Sequence, residues 1–329
     1  MTVNLLNHST MHEPFIFIKD KIVINLDNFL GPTPIPKNNS YVLFSETPKV
    51  ILTPSNNFYH FFSEFMRDFL FLYKKDPNLL FIIDTRYIGS DLNKINFFDF
   101  FLETLKFYNI KYLLHNFFNY STIKINNVYK RQNFSYELNH SKTMLEYFKP
   151  YIKDIDVVPF KNIYISRKKA YQKIKKYNFD NIELTNMRND DLRIDNESLL
   201  ESFLIEKGFE IFYPEDFYNF ADQLNHFYKA KTIACITGSG LTNMMFMQPN
   251  NSVIEFITPL VHKFFDAELN IENHSQSHHL FYIETSLIFN QNYIGINNKS
   301  ESVDSLIKNI QNNKELNIIF NNIGTNEQN

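Results

Sequence analysis

The chain has 329 residues, a formal net charge of −3 and 44% hydrophobic residues. That apolar content excludes a disordered chain, and the length suits about two domains of ~100–200 residues each. With 33 basic against 36 acidic residues, no excess of positive charge exists to track a nucleic-acid backbone. One cysteine, Cys235, excludes an intramolecular disulfide and a cysteine-built zinc site.

The first residues lack a basic start followed by an apolar run, and no stretch of 18 apolar residues occurs. A secretion signal and a spanning helix are therefore not expected. The expected location is the reducing cytosol, with the inner face of a membrane left open. Alternation and turn signals then predict strands at 41–45 and 50–54. A helix over 58–73 follows, capped by Ser55, Asn56 or Asn57 and broken at Asp76-Pro77-Asn78. A buried strand is predicted at 79–84, a helix at 91–108, strands at 111–114 and 121–129, and a helix at 141–154. The second half reads as a strand at 162–165, a polar insertion at 168–191, and a helix at 196–207 closed by Gly208. A strand at 209–213, a helix at 219–230 and an apolar strand at 232–236 come next. A glycine turn leads into a short helix at 241–248, then a strand at 252–257, and the polar tail after Phe320 reads as frayed.

Strands alternating with helices imply an α/β protein with parallel sheets. Two such runs imply two Rossmann-like domains with a cleft between them, divided at 1–155 and 156–329.

Glycine is scarce, at 7 residues, so two kept close together mark a backbone need. They are Gly238 and Gly240, in the run Thr237-Gly238-Ser239-Gly240-Leu241-Thr242-Asn243. A strand entering a glycine turn and then a helix presents free N–H groups and a partial positive charge, which suits a phosphate or diphosphate. Thr237, Ser239 and Thr242 add hydroxyls. A tight turn that merely needs glycine is the equal alternative; no lysine follows to make a Walker loop. Arg167, directly after a strand, and Arg193, before a helix, are candidates to neutralise a diphosphate. Glu255 lies inside an apolar strand, either on a solvated face or at the strand's C-terminal end, where a carboxylate meets sugar hydroxyls. In the first half His60, Glu64, Arg67 and Asp68 fall on one stripe of a helix. A histidine with a carboxylate four residues on makes an acid/base unit; an exposed, ion-paired face is the blander alternative. His274, His278 and His279 have metal-like spacing, but no Asp or Cys completes a set, so no metal is expected.

Taken in order, these segments resemble glycosyltransferase family 61. The resemblance rests on Asn57-Phe58-Tyr59-His60-Phe61-Phe62-Ser63-Glu64, Ile165-Ser166-Arg167 and Arg193-Ile194-Asp195-Asn196-Glu197. It continues through Gly208-Phe209-Glu210, Tyr213-Pro214-Glu215, Ala221-Asp222-Gln223, the glycine run 237–243, Phe246-Met247-Gln248-Pro249 and Val253-Ile254-Glu255. The chain departs from the family pattern at Thr237, where the family carries His, at Ser239 for Ala and at Phe61 for Trp. It also carries the polar insertion between Arg167 and Arg193.

The resemblance implies a GT-B architecture, two Rossmann-like domains facing across a cleft, with the donor in the C-terminal one. It implies an inverting, metal-independent transfer from a nucleotide-sugar, expected to be UDP-linked, to a glycan or lipid-linked saccharide in surface or capsular polysaccharide synthesis. No cofactor is implied beyond that substrate. Arg167, Arg193 and the turn 238–243 would hold the diphosphate, Glu255 would bind donor hydroxyls, and His60 would be the general base with Glu64 as orienter or alternative base. Thr237 in place of His keeps open a non-catalytic glycan- or nucleotide-binding subunit of an assembly complex.

Overall fold

The computed structural model describes residues 2–3, 15–18, 22–25, 41–43, 49–52, 54, 57–84, 96–115, 122–125, 128–129, 142–169, 194, 196–217, 219–258, 278–298, 300 and 302–325. The chain divides into two compact units, Met1–Met144 and Leu145–Asn329.

The first unit contains β1 (Thr2–Val3), β2 (Phe15–Ile18), β3 (Ile22–Asn25), β4 (Tyr41–Leu43) and β5 (Lys49–Leu52). Helix α1 (58–75), β6 (Leu80–Asp84), α2 (Asn96–Phe107), β7 (Tyr112–His115), β8 (Thr122–Ile125), β9 (Val128–Tyr129) and the start of α3 (Lys142–Phe148) follow. Strands β5, β6 and β7 are parallel neighbours joined by α1 and α2, a Rossmann-like half. Antiparallel β2 and β9 extend that sheet beyond β5, giving the order β7-β6-β5-β2-β9. A separate antiparallel sheet has the order β1-β8-β3-β4. The single strand predicted at 121–129 is thus two, β8 and β9, serving different sheets.

Phenylalanine builds the α1–α2 contact. Phe65 and Phe69 of α1 meet Phe101 of α2 edge-on, with ring centroids 5.1 Å and 5.0 Å apart, and Phe61 lies 4.7 Å from Phe97. Edge-to-face pairs of this kind add about 0.5–1.5 kcal/mol each beyond area burial. The aromatic excess of the composition is core material in this unit.

The second unit carries β10 (Lys161–Ile165), α4 (Glu197–Glu206), β11 (Glu210–Phe212), α5 (Phe220–Tyr228), β12 (Ala230–Ile236) and β13 (Ser252–Ile257). It ends with α6 (His278–Ile288), β14 (Asn292–Asn297), α7 (Val303–Asn312) and α8 (Lys314–Thr325). All five strands are parallel, in the order β11-β10-β12-β13-β14. The first strand of the unit therefore lies between the second and third, and the direction of winding reverses between β10 and β12. A crevice outside the strand ends at such a switch point is where open α/β sheets take ligands.

Gly208, at φ 78°, closes α4 in the left-handed region, and Phe209 N–H returns to Leu204 O at 3.0 Å. After β12 the chain winds as a 3₁₀ helix over Ser239–Phe246 instead of the predicted α-helix; Leu241 N–H reaches Gly238 O at 2.9 Å. Leu241 through Met247 are all buried, so this segment is core on every side. The tail is ordered further than its polarity suggests. Phe320 is fully buried against Phe203 and Phe209, which holds α8 on the core through Thr325; residues 326–329 lie outside the described residues.

Candidate functional site

The switch point brings together the ends of β10 and β12. Ser166-Arg167 follows β10, and Thr237-Gly238-Ser239-Gly240 follows β12. Arg167 reaches across, its Nη1 donating to Thr237 O at 3.4 Å. The next two cations are drawn elsewhere. Lys168 pairs with Glu201 at 3.2 Å, and Lys169 pairs with Asp216 and lies over the Tyr213 ring.

On the opposite lip, the N–H groups of Gly238, Ser239 and Gly240 donate to nothing among the described residues. Ser239 is exposed, and Gly238 is in extended backbone, so no left-handed conformation explains that glycine. Gly240 is different. A Cβ there would lie 3.0 Å from Ile165 Cγ2 and 3.5 Å from Cys235 Sγ, so its lack of a side chain lets the turn close onto the end of β10. Free N–H groups at a helix N-terminus and a guanidinium a few ångströms away make a surface suited to a phosphate anion.

The rest of the run 237–243 faces inward. Thr237 and Thr242, expected to offer hydroxyls to a ligand, are 4% and 0% exposed. Thr242 Oγ1 is buried without a hydrogen-bond partner among the described residues. Leu241 is core, and Asn243 spends its amide on Gly240 O at 2.8 Å while its Oδ1 accepts from Gln223 at 2.8 Å. These residues shape the turn from beneath.

Glu255 is not on a solvated face. It is fully buried in β13, in register with Cys235 and Gly295. Thr237 Oγ1 donates to its Oε1 at 2.6 Å and the Tyr293 hydroxyl donates to its Oε2. Both oxygens are engaged inside the protein. Burial, and then the Glu255 charge, hold the Tyr293 hydroxyl well above the ordinary phenol range, so it remains a donor. Gly295 makes room for this contact, since a Cβ there would meet the Tyr293 ring at 3.2 Å. Tyr282 of α6 adds a further tie, donating to Gly238 O at 2.8 Å.

Sequence reading missed Tyr282, Tyr293, Glu197 and Glu201. The two tyrosines lie after 257, in segments with no assigned element, and no local pattern pairs them with Gly238 O and Glu255. Glu197 reads in the sequence as the last residue of a motif and the start of a helix, with no role of its own. Arg193 lies outside the described residues, as does most of the polar insertion.

In the first unit His60 sits half-buried in α1, its ring 5.0 Å edge-on from Tyr59. Asn57 is the cap, its Oδ1 accepting from Tyr59 N–H at 2.9 Å and His60 N–H at 3.4 Å. Immediately after His60 the helix widens into a π stretch, Phe61–Met66, which includes Glu64. Arg67, three residues after Glu64, is 7% exposed, so the arginine does not lie on an exposed face of the helix. Single π turns inside α-helices recur at functional sites.

Among the described residues no group of three His, Cys, Asp or Glu side chains gathers as a metal site, and no helix is long and apolar enough to cross a membrane. His274 lies outside the described residues. A comparison with curated protein sequences gives no match. The family profile described as Glycosyltransferase 61 matches residues 58–254, from the first turn of α1 to the middle of β13. That span is more than half of the chain and runs through His60, Arg167 and the glycine turn, so the chain belongs to glycosyltransferase family 61.

Proposed function

We propose that this chain is an inverting, metal-independent glycosyltransferase of GT-B type that takes its sugar from a nucleoside-diphosphate donor. The observation that carries the donor reading is the switch point: Arg167 on one lip, and on the other three N–H groups at Gly238–Gly240 that donate to nothing among the described residues. A diphosphate leaving group gains negative charge as the glycosidic bond breaks, and preorganised donors of this kind stabilise it without a metal ion. Arg193 joins them in this reading.

The first unit supplies the acceptor side. His60 accepts the proton of the acceptor hydroxyl as that oxygen attacks the anomeric carbon. The bond from that carbon to the diphosphate oxygen breaks on the opposite face, and the configuration inverts. Glu64 orients His60 or replaces it as base. The acceptor is a hydroxyl of a glycan or lipid-linked saccharide in surface-polysaccharide assembly, on the cytoplasmic side of a membrane.

A second reading has a specific observation behind it. Thr237 stands where the family carries His, and its hydroxyl is committed to buried Glu255. A binding subunit without turnover would tolerate that exchange.

A thermal-shift screen with UDP, GDP, CMP and their sugar conjugates, with and without Mg²⁺, tests both readings. A nucleotide at 100 times its Kd adds about 2.7 kcal/mol to stability. Stabilisation by one nucleoside diphosphate without Mg²⁺, followed by release of that nucleotide from its sugar conjugate, is the expected result. Binding without turnover favours the subunit. No shift with any of them rejects the donor site.

A further inference from the structure

Two carboxylates stand behind the β10 lip, and their surroundings differ. Glu201 receives Ser166 Oγ at 2.7 Å and the Tyr213 hydroxyl at 3.0 Å on one oxygen, and Lys168 Nζ at 3.2 Å on the other. A cation and two hydroxyls suit an ionised carboxylate. Glu197, the first residue of α4, is 7% exposed. Its Oε1 receives the Arg167 N–H at 2.9 Å and the Tyr164 hydroxyl at 2.8 Å. Its Oε2 is buried and has no hydrogen-bond partner among the described residues.

An ionised carboxylate with one dry, unpartnered oxygen is far more costly than a neutral acid in the same place. Burial pushes the Glu197 carboxyl above the ordinary carboxylate range, and the Glu201 charge adds to this. The Arg167 N–H, the Tyr164 hydroxyl and the Arg167 charge pull the other way. Among the described residues, the groups acting on Glu197 include Glu201 on its own helix, Tyr164 on β10, Arg167 beyond β10 and Tyr213 after β11. Tyr213 bonds to Glu201 and also feels the Glu197 charge, and Lys168 pairs with Glu201.

We propose that Glu197 is a positioning residue for Arg167 that works as a neutral carboxylic acid, anchoring the Arg167 backbone without setting a second buried negative charge beside an anionic donor. The inference rests on reading the β10–β12 switch point as a diphosphate site.

The test uses the full chain as wild type, Glu197→Gln and Glu197→Ala, with melting temperatures taken from about pH 5 to about pH 9. It adds calorimetric titration with UDP, or with GDP if the screen selects it. A carboxyl whose folded pKa is raised contributes stability that is full below its unfolded pKa and is lost as pH rises through the folded one. Glu197→Gln has no such proton to lose, so its melting temperature should gain on wild type as pH rises. A difference that stays flat or shrinks overturns the neutral acid. In titration, Glu197→Gln should keep affinity within about threefold while Glu197→Ala loses about tenfold or more, a change of ~1.4 kcal/mol. Equal affinity in Glu197→Ala overturns the positioning role. If wild type binds no nucleotide, the diphosphate reading fails and the positioning role with it, while the melting series still decides the charge state of Glu197.

Discussion

Gly240 and Thr237 illustrate how single residues hold the turn after β12. Replacing Gly240 by Ala places a methyl 3.0 Å from Ile165 Cγ2, beneath the end of β10. Overpacking of this kind costs about 1–3 kcal/mol, and thermal denaturation of Gly240→Ala should show a lower melting temperature together with weaker nucleotide binding, because the two lips move apart. An unchanged melting temperature would show that β10 yields freely. Thr237→Val keeps the shape and removes the donor to Glu255 Oε1. Taking a hydrogen-bond donor from a buried carboxyl costs about 1–3 kcal/mol. At about 2–4 °C per kcal/mol for a chain of this class, the loss is measurable in a simple melt. If Thr237→Val melts with wild type, Glu255 is held by its other partners alone.

At the scale of elements, α1 and α5 show what periodicity conveys and what it hides. The cap, the apolar face and the end of α1 are all legible in its residues, since Asn57, the phenylalanines and the Asp76-Pro77-Asn78 break act locally. The π stretch at Phe61–Met66 is not, because an added residue per turn is tolerated only when tertiary packing compensates for it. Here a cluster of aromatic rings from α2 surrounds it. Asn57→Ala should destabilise the protein by about 0.5–2 kcal/mol, read from denaturant unfolding. Helix α5 carries a pH dependence that no motif announces. His226 packs against Phe212 at 4.9 Å and Phe217 at 5.7 Å. Burial, and then the Lys161 charge, hold it down to about 4, against the pull of Glu210. A histidine lowered from 6.5 contributes stability that is full above 6.5 and is lost as pH falls toward 4. The melting temperature should fall over that window, and His226→Phe should flatten the fall. An identical acid limb in the variant would assign it to other groups.

At the scale of the whole molecule, the proposed division of labour predicts that two substitutions separate. Arg167→Ala should weaken nucleotide binding about tenfold to a hundredfold, the value of hydrogen bonds to a charged group, and turnover should fall with it. His60→Ala should bind nucleotide as wild type does and lose about 10²–10⁴-fold in turnover, the contribution of one general base. Titration and initial-rate measurements on the same preparations distinguish the two. Loss of binding in His60→Ala would move His60 out of the acceptor role.

The order of elements from β4 to β13, apart from the division of 121–129 into β8 and β9 and the 3₁₀ winding after the turn, and the glycine turn itself were present in the sequence, because alternation, caps, turn residues and glycine scarcity are local properties of the chain. So were the residues that identify the family, since their order and spacing survive without any coordinates. Other features were decided only by the tertiary structure. Strand order places β10 between β11 and β12 and so makes the switch point, and no local pattern encodes which strands become neighbours. Burial turned Thr237, Thr242, Asn243 and Glu255 inward, although each reads as a polar group available to a ligand. Tyr282 and Tyr293 come from elements that follow the turn by about 40 residues or more and meet it through single hydroxyls. A polar side chain is a ligand contact or a structural tie according to what packs against it, and that is settled by distant segments meeting in three dimensions.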